Sequence, residues 1–472
     1  MTVQKLRNRL YDTEEIQRKD NRFLHPWELM EEVGSNKRTV TAEAEGIYLY
    51  DSEGNRLIDG PGGMWCVNIG HGRQEMADAI SQQIMRITYN SPWSTTSGPA
   101  AEFAHQLAKR APGDLNNVFF TTGGSTAVDA AVRLIQFYNN YLGRPEKKHF
   151  IAREKGYHGS TYISSSLSGK IRDKDFLDFE TDLFHHIPCP DPLDKPADMS
   201  DADYLDKTVA DLENMILEIG PDKVAAFVAE PILASGGVIV PPTGYHKRCL
   251  EVCRKYDVLY VSDEVVTSFG RLGHLFASED VFGIVPDIIT TAKGLTSAYV
   301  PMGAMLVSDR IISAFDKDKG GAMYANGYTY SGHPVAAVAG MKNLEIMERD
   351  KIFEHVREVG PYFQEKLQEM RDIPIVSDVR GMGLMGCVEC LISDGSGGGG
   401  EVLAMDYDIG NRIDAHCQKR GLLVRPIINM CVMSPPLTIT KDQIDDMMAI
   451  LREGIEATMA DVIAEGLWRP AA

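Results

Sequence analysis

The chain has 472 residues and a formal net charge of −19, with 44% hydrophobic and 24% charged residues. A chain of this length can bury a large core and is too long for one simple domain. The acidic balance argues against a nucleic-acid or anionic membrane partner, because such surfaces need clustered cations. The first residues lack an apolar signal-peptide core and no run approaches membrane-spanning length, so a cytoplasmic location is predicted.

Eight cysteines in so long a chain favour a reducing compartment over a disulfide framework. Cys387 and Cys390 form a lone CxxC inside an apolar run of the β type. A metal or redox role would need a second ligand pair or a strand-to-helix setting, and neither is evident. We interpret the two residues as adjacent buried thiols and predict no metal site.

The first third of the chain predicts a hairpin, a glycine-rich loop and then helices. Two short β-like runs, 47–50 and 56–59, flank turn residues. The stretch 60–72 combines many glycines with Trp65, which is typical of a loop that passes close to something it must fit. Helical patterns follow from 74 to 85 and up to 109.

A possible anion site follows the strand predicted at 117–120. The chain continues through two glycines, Gly123 and Gly124, and Ser125 into a long amphipathic helix that reaches about residue 142. Backbone N–H groups, a serine hydroxyl and the helix dipole together can bind an anion. An ordinary helix N-cap explains the same residues equally well at this point.

Apolar runs then alternate with helical segments, which predicts a largely parallel sheet covered by helices on both faces. The predicted strands are 149–152, 224–229, 259–261, 288–290 and 304–307. Ligands of such sheets bind at the carboxyl ends of the strands. Polar groups follow four of these ends, so we expect them to converge at one rim: Tyr157, Glu230, Asp263 and Lys293.

Lys293 and Asp263 predict the cofactor. A lysine at a strand end is by itself usually a surface charge. Here a second strand end, thirty residues earlier, supplies the carboxylate of Asp263. Pyridoxal phosphate (PLP) needs this pair, a lysine for a Schiff base and an acid to keep the ring nitrogen protonated. With a phosphate to place, the anion interpretation of Gly124 and Ser125 becomes the better one.

Motifs in order along nearly the whole chain resemble those of the class III (ω-amino) aminotransferases, which are PLP enzymes of fold type I. The motifs are Asp59-Gly60, Gly63-Met-Trp65-Cys-Val-Asn68-Ile-Gly-His-Gly72, Gly123-Gly-Ser-Thr-Ala127, Gly156-Tyr-His-Gly159, Asp263-Glu-Val265, Lys293-Gly294 and Tyr328-Thr-Tyr-Ser-Gly-His-Pro334. Within that family the chain looks most similar to the pyruvate-dependent amine, β-alanine and taurine transaminases.

The resemblance implies an α/β fold with a large domain, a mostly parallel sheet covered by helices, and a small α+β domain built from both chain ends. The expected division is 1–70 for an N-terminal segment of the small domain, 71–334 for the large PLP-binding domain and 335–472 for the C-terminal small domain. The C-terminal pattern fits this expectation, with helices to about 370, β-like runs at 376–379, 383–391 and 422–424, and a closing helix from 441.

The resemblance also implies how the cofactor is held. Gly124 and Ser125 are expected at the phosphate, and Tyr157 and Val265 on the two faces of the ring. Most of the family has a glutamate where this chain has Thr126. Since the backbone donors remain, we expect phosphate binding to survive this change.

Further roles follow from the same resemblance. Asp263 is expected to pair with the ring nitrogen and Glu230 to lie near the ring hydroxyl. Thr329 is expected to reach the phosphate of a neighbouring subunit. The active form would therefore be a homodimer, or a dimer of dimers, with shared sites.

Three residues are expected to contact substrate. Trp65 and Trp93 are placed at the substrate pocket. Arg425 matches a mobile arginine that captures substrate carboxylates in this subgroup. The alternative is that Arg425 is a surface charge following the run 422–424.

The predicted function is transfer of an amino group from an ω-amino acid or primary amine to a keto acid, with pyruvate expected, by a ping-pong mechanism. An aminomutase or decarboxylase on the same fold would share all the cofactor residues. A non-catalytic PLP-binding regulator would need a basic helix-turn-helix, which this acidic chain does not offer. A nucleotide-binding oxidoreductase would need GxGxxG after the first strand, and Thr122-Gly-Gly-Ser-Thr126 lacks it. The donor stays open among β-alanine, taurine, diamines and aromatic amines.

Overall fold

A computed structural model shows an α/β fold around a seven-stranded sheet. The structure describes residues 12–316, 320–392 and 399–469. The strands are β1 Thr41–Glu45, β2 Tyr48–Asp51, β3 Arg56–Asp59, β4 Asn117–Thr121, β5 His149–Arg153, β6 Phe184–Ile187, β7 Val224–Ala229, β8 Leu259–Asp263, β9 Ile288–Thr291, β10 Gly303–Val307, β11 Val376–Met382, β12 Met385–Cys390, β13 Leu422–Leu423, β14 Arg425–Ile427 and β15 Met430–Met433.

Helices separate and cover these strands. In chain order they are α1 Thr13–Asp20, α2 Gly62–Trp65, α3 Gln74–Arg86, α4 Gly98–Arg110, α5 Gly124–Tyr141, α6 Tyr162–Leu167, α7 Asp201–Ile219, α8 Tyr245–Lys255, α9 Ala277–Asp280, α10 Asp309–Ile312, α11 Pro334–Arg349, α12 Ile352–Gln368, α13 Gly399–Arg420 and α14 Lys441–Ala464. No helix within the described ranges is long and apolar enough to cross a membrane.

The large sheet has the strand order β4-β10-β9-β8-β7-β5-β6. Neighbours from β9 to β6 pair in parallel. Strand β10 runs antiparallel to both β4 and β9. Because β10 runs opposite to both of its neighbours, β4 runs in the same direction as the parallel strands. The carboxyl ends of β4, β5, β7, β8 and β9 therefore meet at one edge, where ligands of such sheets bind.

Alternating side chains of this sheet enter two separate cores. Phe150 and Ala152 pack with helix α5 on one face. Ile151, between them, packs with α7 and α8 on the other face. Successive strand residues point to opposite faces, so a strand covered on both faces must be apolar throughout. This explains why β7 is buried at every position.

Two four-stranded sheets, β1-β2-β3-β13 and β11-β12-β15-β14, form the smaller part of the fold. In the first, β13 pairs in parallel with β3, with Leu422 opposite Ile58 and Leu423 opposite Asp59. A small unit built from both chain ends is thus confirmed. The pairing also carries Arg425, at the start of β14, toward the glycine-rich loop that follows β3.

The sequence left several elements unpredicted. Strand β6 is short and carries two histidines, and it pairs only with β5. Helix α13 begins in a glycine-rich run, which hides its start. Helix α7 begins at Asp201, because the Ser200 side chain caps its first turn by accepting from the Asp203 N–H. The domain boundaries after 70 and 334 stay a prediction.

All eight cysteines are free thiols, and Cys387 and Cys390 are buried. Burial raises the pKa of the Cys387 thiol to about 12, which makes it a weak nucleophile at neutral pH. Across the described part of the chain, no three His, Cys, Asp or Glu side chains group in a way that could hold a metal ion.

Candidate active site

A cavity of about 620 Å³ opens at the carboxyl edge of the large sheet. Every predicted site residue lines it except Thr329 and Trp93. The lining residues that the sequence predicted are Trp65, Gly124, Ser125, Tyr157, Glu230, Asp263, Val265, Lys293 and Arg425.

Lys293 follows β9 with a left-handed backbone, at φ 44°. This conformation is uncommon for a side-chain-bearing residue and is often found where function demands it. The next residue must be glycine, since a Cβ at Gly294 would collide with Asn68 and with Phe269. Burial lowers the pKa of Lys293 to about 8, and the charge of Arg425 acts in the same direction. The amine is therefore more easily neutral, as a nucleophile or a base must be.

Asp263 ends β8 and is held by three donors. His158 Nδ1 lies 2.7 Å from Oδ2, while the Val265 N–H and the Thr290 hydroxyl donate to Oδ1 at 3.2 and 3.1 Å. The side chains of His158 and Asp263 are 2% and 3% exposed. Such a buried, bonded carboxylate has a fixed position and can hold a proton on a ring nitrogen.

His158 was not assigned a role from the sequence. It lies beside Tyr157 in a motif that the resemblance included, and this adjacency is the only signal for it. Its contact with Asp263 depends on bringing the turn after β5 against the end of β8, which only the folded chain does.

Glu230, after β7, holds the turn that carries Tyr157. Its Oε1 accepts from the Tyr157 N–H at 3.0 Å, and Oε2 accepts from the Ala234 N–H at 3.1 Å. Arg153 donates to the Glu230 carbonyl. Burial raises the pKa of the Glu230 carboxyl. These hydrogen bonds of Glu230 fix the position of Tyr157 and do not cross the cavity.

Gly124 and Ser125 open helix α5 and make a cradle. The first N–H groups of a helix have no partner within it and favour an anion. The cradle is tight, because a Cβ at Gly124 would lie 3.0 Å from Val265 Cγ1. Thr126 closes the helix start by accepting the Gly123 N–H at 3.1 Å.

Trp65 lies close to both the lysine and the arginine. Lys293 Nζ is 5.7 Å from the centre of its ring, and Arg425 Cζ is 6.0 Å from it. The loop of Trp65 is fixed by Asp59, whose carboxylate accepts the Gly63 N–H at 2.9 Å. Trp65 is 2% exposed, so it forms a rigid wall of the cavity.

Arg425 contacts no acidic side chain within the described ranges. Burial lowers its pKa, and no carboxylate contributes in the opposite direction. A half-buried guanidinium without an anion is costly unless a ligand supplies one. This observation favours the carboxylate-binding role over the surface charge.

Thr329 and Trp93 lie outside this cavity. Trp93 is 85% exposed. Thr329 is exposed as well, and its carbonyl accepts a hydrogen bond from Tyr89 at 2.8 Å. A single chain therefore does not bring either residue to the site.

Comparison with known proteins agrees with this geometry. The model of the class-III aminotransferase family matches residues 30–455. That match covers most of the chain. The chain belongs to the class III aminotransferases. This family uses pyridoxal phosphate, and its members transfer amino groups between amines and keto acids.

Relatives of known name span nearly the whole chain. Putrescine–pyruvate aminotransferase of Pseudomonas aeruginosa is 38% identical over 93% of this chain and 95% of its own length. The mitochondrial γ-aminobutyrate transaminase 1 of Oryza sativa subsp. indica is 38% identical over 89% of this chain and 81% of its own. A thermostable (S)-enantioselective ω-transaminase from Thermomicrobium roseum superposes with a TM-score of 0.89 at 34% identity, over 96% and 99% of the two chains. These likenesses confirm the fold-type I architecture.

The residues present fit pyridoxal phosphate. The start of α5 offers N–H groups for the phosphate, Asp263 offers a carboxylate for the ring nitrogen, and Lys293 offers an amine for the aldehyde. Tyr157 and Val265 both line the cavity and offer an aromatic and an aliphatic surface to a flat ring. The position of Gly159 cannot accept a larger side chain, because a Cβ there would lie 2.5 Å from Ser125 Oγ.

Proposed function

We propose that this class III aminotransferase moves an amino group from an ω-amino acid or primary amine to pyruvate by a ping-pong mechanism. The observation that carries the proposal is the meeting of Lys293, Asp263 and the unpaired Arg425 on one cavity. The first two residues serve both half-reactions. The third suits a keto acid with a carboxylate next to its reacting carbon.

The side chains divide the work. The bound cofactor supplies an electron sink for the carbon that loses a proton. Asp263 holds the proton on the ring nitrogen, which makes that sink effective. Lys293 Nζ, whose pKa burial lowers to about 8, removes in its neutral form the proton from the substrate carbon that bears the amino group. The buried walls around Asp263 keep water from competing for this proton.

Arg425 handles the carboxylate of the keto acid. A guanidinium grips a carboxylate with two parallel hydrogen bonds, which orients the acid as well as binding it. The name of the Pseudomonas aeruginosa relative, putrescine–pyruvate aminotransferase, supports pyruvate as acceptor. A donor amine without an acid group makes no use of Arg425.

A donor panel with pyruvate tests the proposal. Purified enzyme is incubated with each amine, with and without pyruvate, and alanine is measured. We expect alanine only when both substrates are present. An isomerised amine, or carbon dioxide released without keto acid, would instead identify an aminomutase or decarboxylase, and a protein that binds PLP but converts nothing would be a non-catalytic PLP-binding protein.

We also infer that two chains share their active sites. Around Thr329 the surface carries exposed apolar side chains, with Met85 84%, Trp93 85% and Tyr330 59% exposed. Tyr89, in the segment before Trp93, contacts the segment of Thr329, since its ring lies 6.1 Å from that of Tyr330. Such a band favours burial against a second copy, which would bring Thr329 and Trp93 to the partner's cavity.

Sedimentation and cofactor retention test the shared site together. Thr329→Ala should weaken PLP retention while leaving a dimer, whereas Trp93→Asp should shift the protein toward monomer and release the cofactor. A monomeric wild-type enzyme with full activity would contradict the inference. A cytoplasmic location stays a prediction, which the eight free cysteines support.

A further inference from the structure

The cavity carries a second charged group on its solvent side. This group, the Lys170 cluster, consists of Lys170, Arg172 and Asp173, all of which line the cavity. Their side chains are 13%, 32% and 24% exposed, compared with 3% for Asp263. The cluster therefore lies nearer to the solvent than Asp263 does.

Lys170 is held firmly but is not neutralised. Its Nζ donates to Ser235 Oγ at 3.0 Å and lies 3.4 Å from Asp173 Oδ2. An ammonium has three N–H donors, so one of them is left for a ligand. The same nitrogen is 6.0 Å from the centre of the Tyr157 ring, which lines the cofactor site. Burial lowers the pKa of Lys170, and an anion at this place would oppose that effect.

Arg172 shares the same carboxylate. Its Nε and Nη2 both lie 3.3 Å from Asp173 Oδ1, and its guanidinium rests 5.6 Å from the centre of the Tyr407 ring. One carboxylate thus faces two cations. The cluster carries one uncompensated positive charge.

The charge of the whole solvent side is positive. Glu28 also lines the cavity, but Arg38 binds it at 2.6 Å and cancels it. On the solvent side this leaves three cations, those of the cluster and Arg425, against one acid, Asp173, while Glu230, Asp263 and Lys293 line the sheet end of the cavity. The excess of two positive charges attracts an acid group and repels a second ammonium.

We propose that the Lys170 cluster binds the far acid group of the amino donor, so that the preferred donors are ω-amino acids and diamines are disfavoured. The proposal rests on the proposed transaminase function and names its donor class. The two cationic positions bind the acid groups of different substrates. Arg425 takes the carboxylate next to the reacting carbon of the keto acid. The Lys170 cluster takes the acid at the other end of the donor.

Donors that differ only at the far end test the proposal. The first set is 4-aminobutyrate, butylamine and putrescine, which end in an acid, a methyl group and a second amine. The set is repeated with chains one carbon shorter and with chains one and two carbons longer, and pyruvate is the acceptor throughout. Wild-type kcat/KM should fall from the amino acid to the plain amine to the diamine at the best length. Each charge-assisted contact corresponds to about a tenfold difference.

Charge reversal should invert this order. Lys170→Glu should lower kcat/KM for the amino acid by about tenfold or more, raise it for the diamine, and leave the plain amine nearly unchanged. Asp173→Asn removes the only acid of the cluster and should disfavour the diamine further. Lys174→Gln is the matched control. Lys174 ends the short 3-10 helix Ile171–Lys174, which follows Lys170, and it does not line the cavity, so all three donors should react as in wild type.

Two outcomes would overturn the inference without touching the proposed function. One is a wild-type preference for the diamine over the amino acid of equal length. The other is a Lys170→Glu variant in which all three donors lose the same factor. If wild-type enzyme makes no alanine from any donor and pyruvate, the proposed function itself fails.

Binding without turnover gives an independent reading. In Arg425→Ala enzyme, calorimetric titration with valerate, which has a carboxylate and no amine, measures the Lys170 cluster alone. Adding Lys170→Met to this background should weaken valerate binding by about tenfold. Equal valerate affinity in the two proteins would place the acid group elsewhere.

Discussion

At the sheet end of the cavity, Asp263 is 3% exposed and accepts three hydrogen bonds, whereas at the solvent end Arg425 has no acidic partner in the described structure. We infer that the two ends are built differently because they serve different steps of the proposed reaction. Groups that act in both half-reactions gain from a fixed, fully bonded position. Groups that bind one substrate and release it gain from a charge left free for the ligand. Substitutions at the sheet end should therefore harm both half-reactions, and those at the solvent end only one.

Lys293→Ala should show the largest effect, because it removes the base at the sheet end. We expect each half-reaction to slow by about four powers of ten or more, with PLP still bound through the start of α5. Stopped-flow absorbance of each half-reaction measures this. In wild type, borohydride should fix the cofactor to one peptide containing Lys293. Lys255→Ala, an exposed control, should behave as wild type, and labelling of another lysine would refute the assignment.

Asp263→Asn keeps the shape of the side chain and removes its charge. Without the carboxylate the ring nitrogen is less readily protonated, so proton removal should slow by about two to three powers of ten in both half-reactions. The neighbouring Glu264 is the control. It is fully buried and accepts from the Ala277 and Ser278 N–H groups outside the cavity. Glu264→Gln should lower thermal stability and leave the rates of folded enzyme unchanged; near-normal rates in Asp263→Asn would contradict its role.

Arg425→Ala tests the solvent end. The KM for pyruvate should rise by about one to two powers of ten, while the half-reaction of a plain amine donor should scarcely change. Arg420→Ala, which removes an arginine of helix α13 outside the cavity, should alter neither half-reaction. Equal small effects of Arg425→Ala on pyruvate and on the amine would show that the two ends do not differ in this way.

The pH dependence of cofactor capture is the smallest expected effect. Burial lowers the pKa of Lys293 to about 8, so its neutral form grows as the pH rises through 8. Capture of PLP by cofactor-free protein should speed up by about tenfold between pH 7 and 9 and then level off. A lysine with an ordinary pKa would give a rise of about a hundredfold with no plateau. Absorbance at a series of pH values distinguishes the two curves.

Much of the large sheet was predictable because its strands are buried on both faces. Strand β7, Val224–Ala229, has the predicted bounds, and β8 and β9 lie within two residues of theirs. Continuous apolar runs bounded by polar turns leave little choice of structure. The same reasoning fails for β6, whose short run with two histidines has no such pattern.

Most of the predicted site also converged, because residues at strand ends share an edge whatever the loops between them do. Tyr157, Glu230, Asp263 and Lys293 are of this kind. Contacts between side chains of different elements could not be predicted from the sequence. The contact of His158 with Asp263 and the contacts of the Lys170 cluster depend on loops, whose courses no periodic pattern records.

By itself, the sequence determined the alternation of strands and helices and the class of cofactor, and it predicted Lys293 as the lysine that meets the cofactor, since local apolar patterns and strand-end chemistry are written in consecutive residues. The tertiary structure alone decided which charges are matched and which are left over. Asp173 faces Lys170 and Arg172 at once, while Arg425 arrives on β14 from the far end of the chain with no acid beside it. Charge balance in a cavity is a property of side chains brought together from distant positions, and Coulomb energies depend on those distances and on burial, which folding sets.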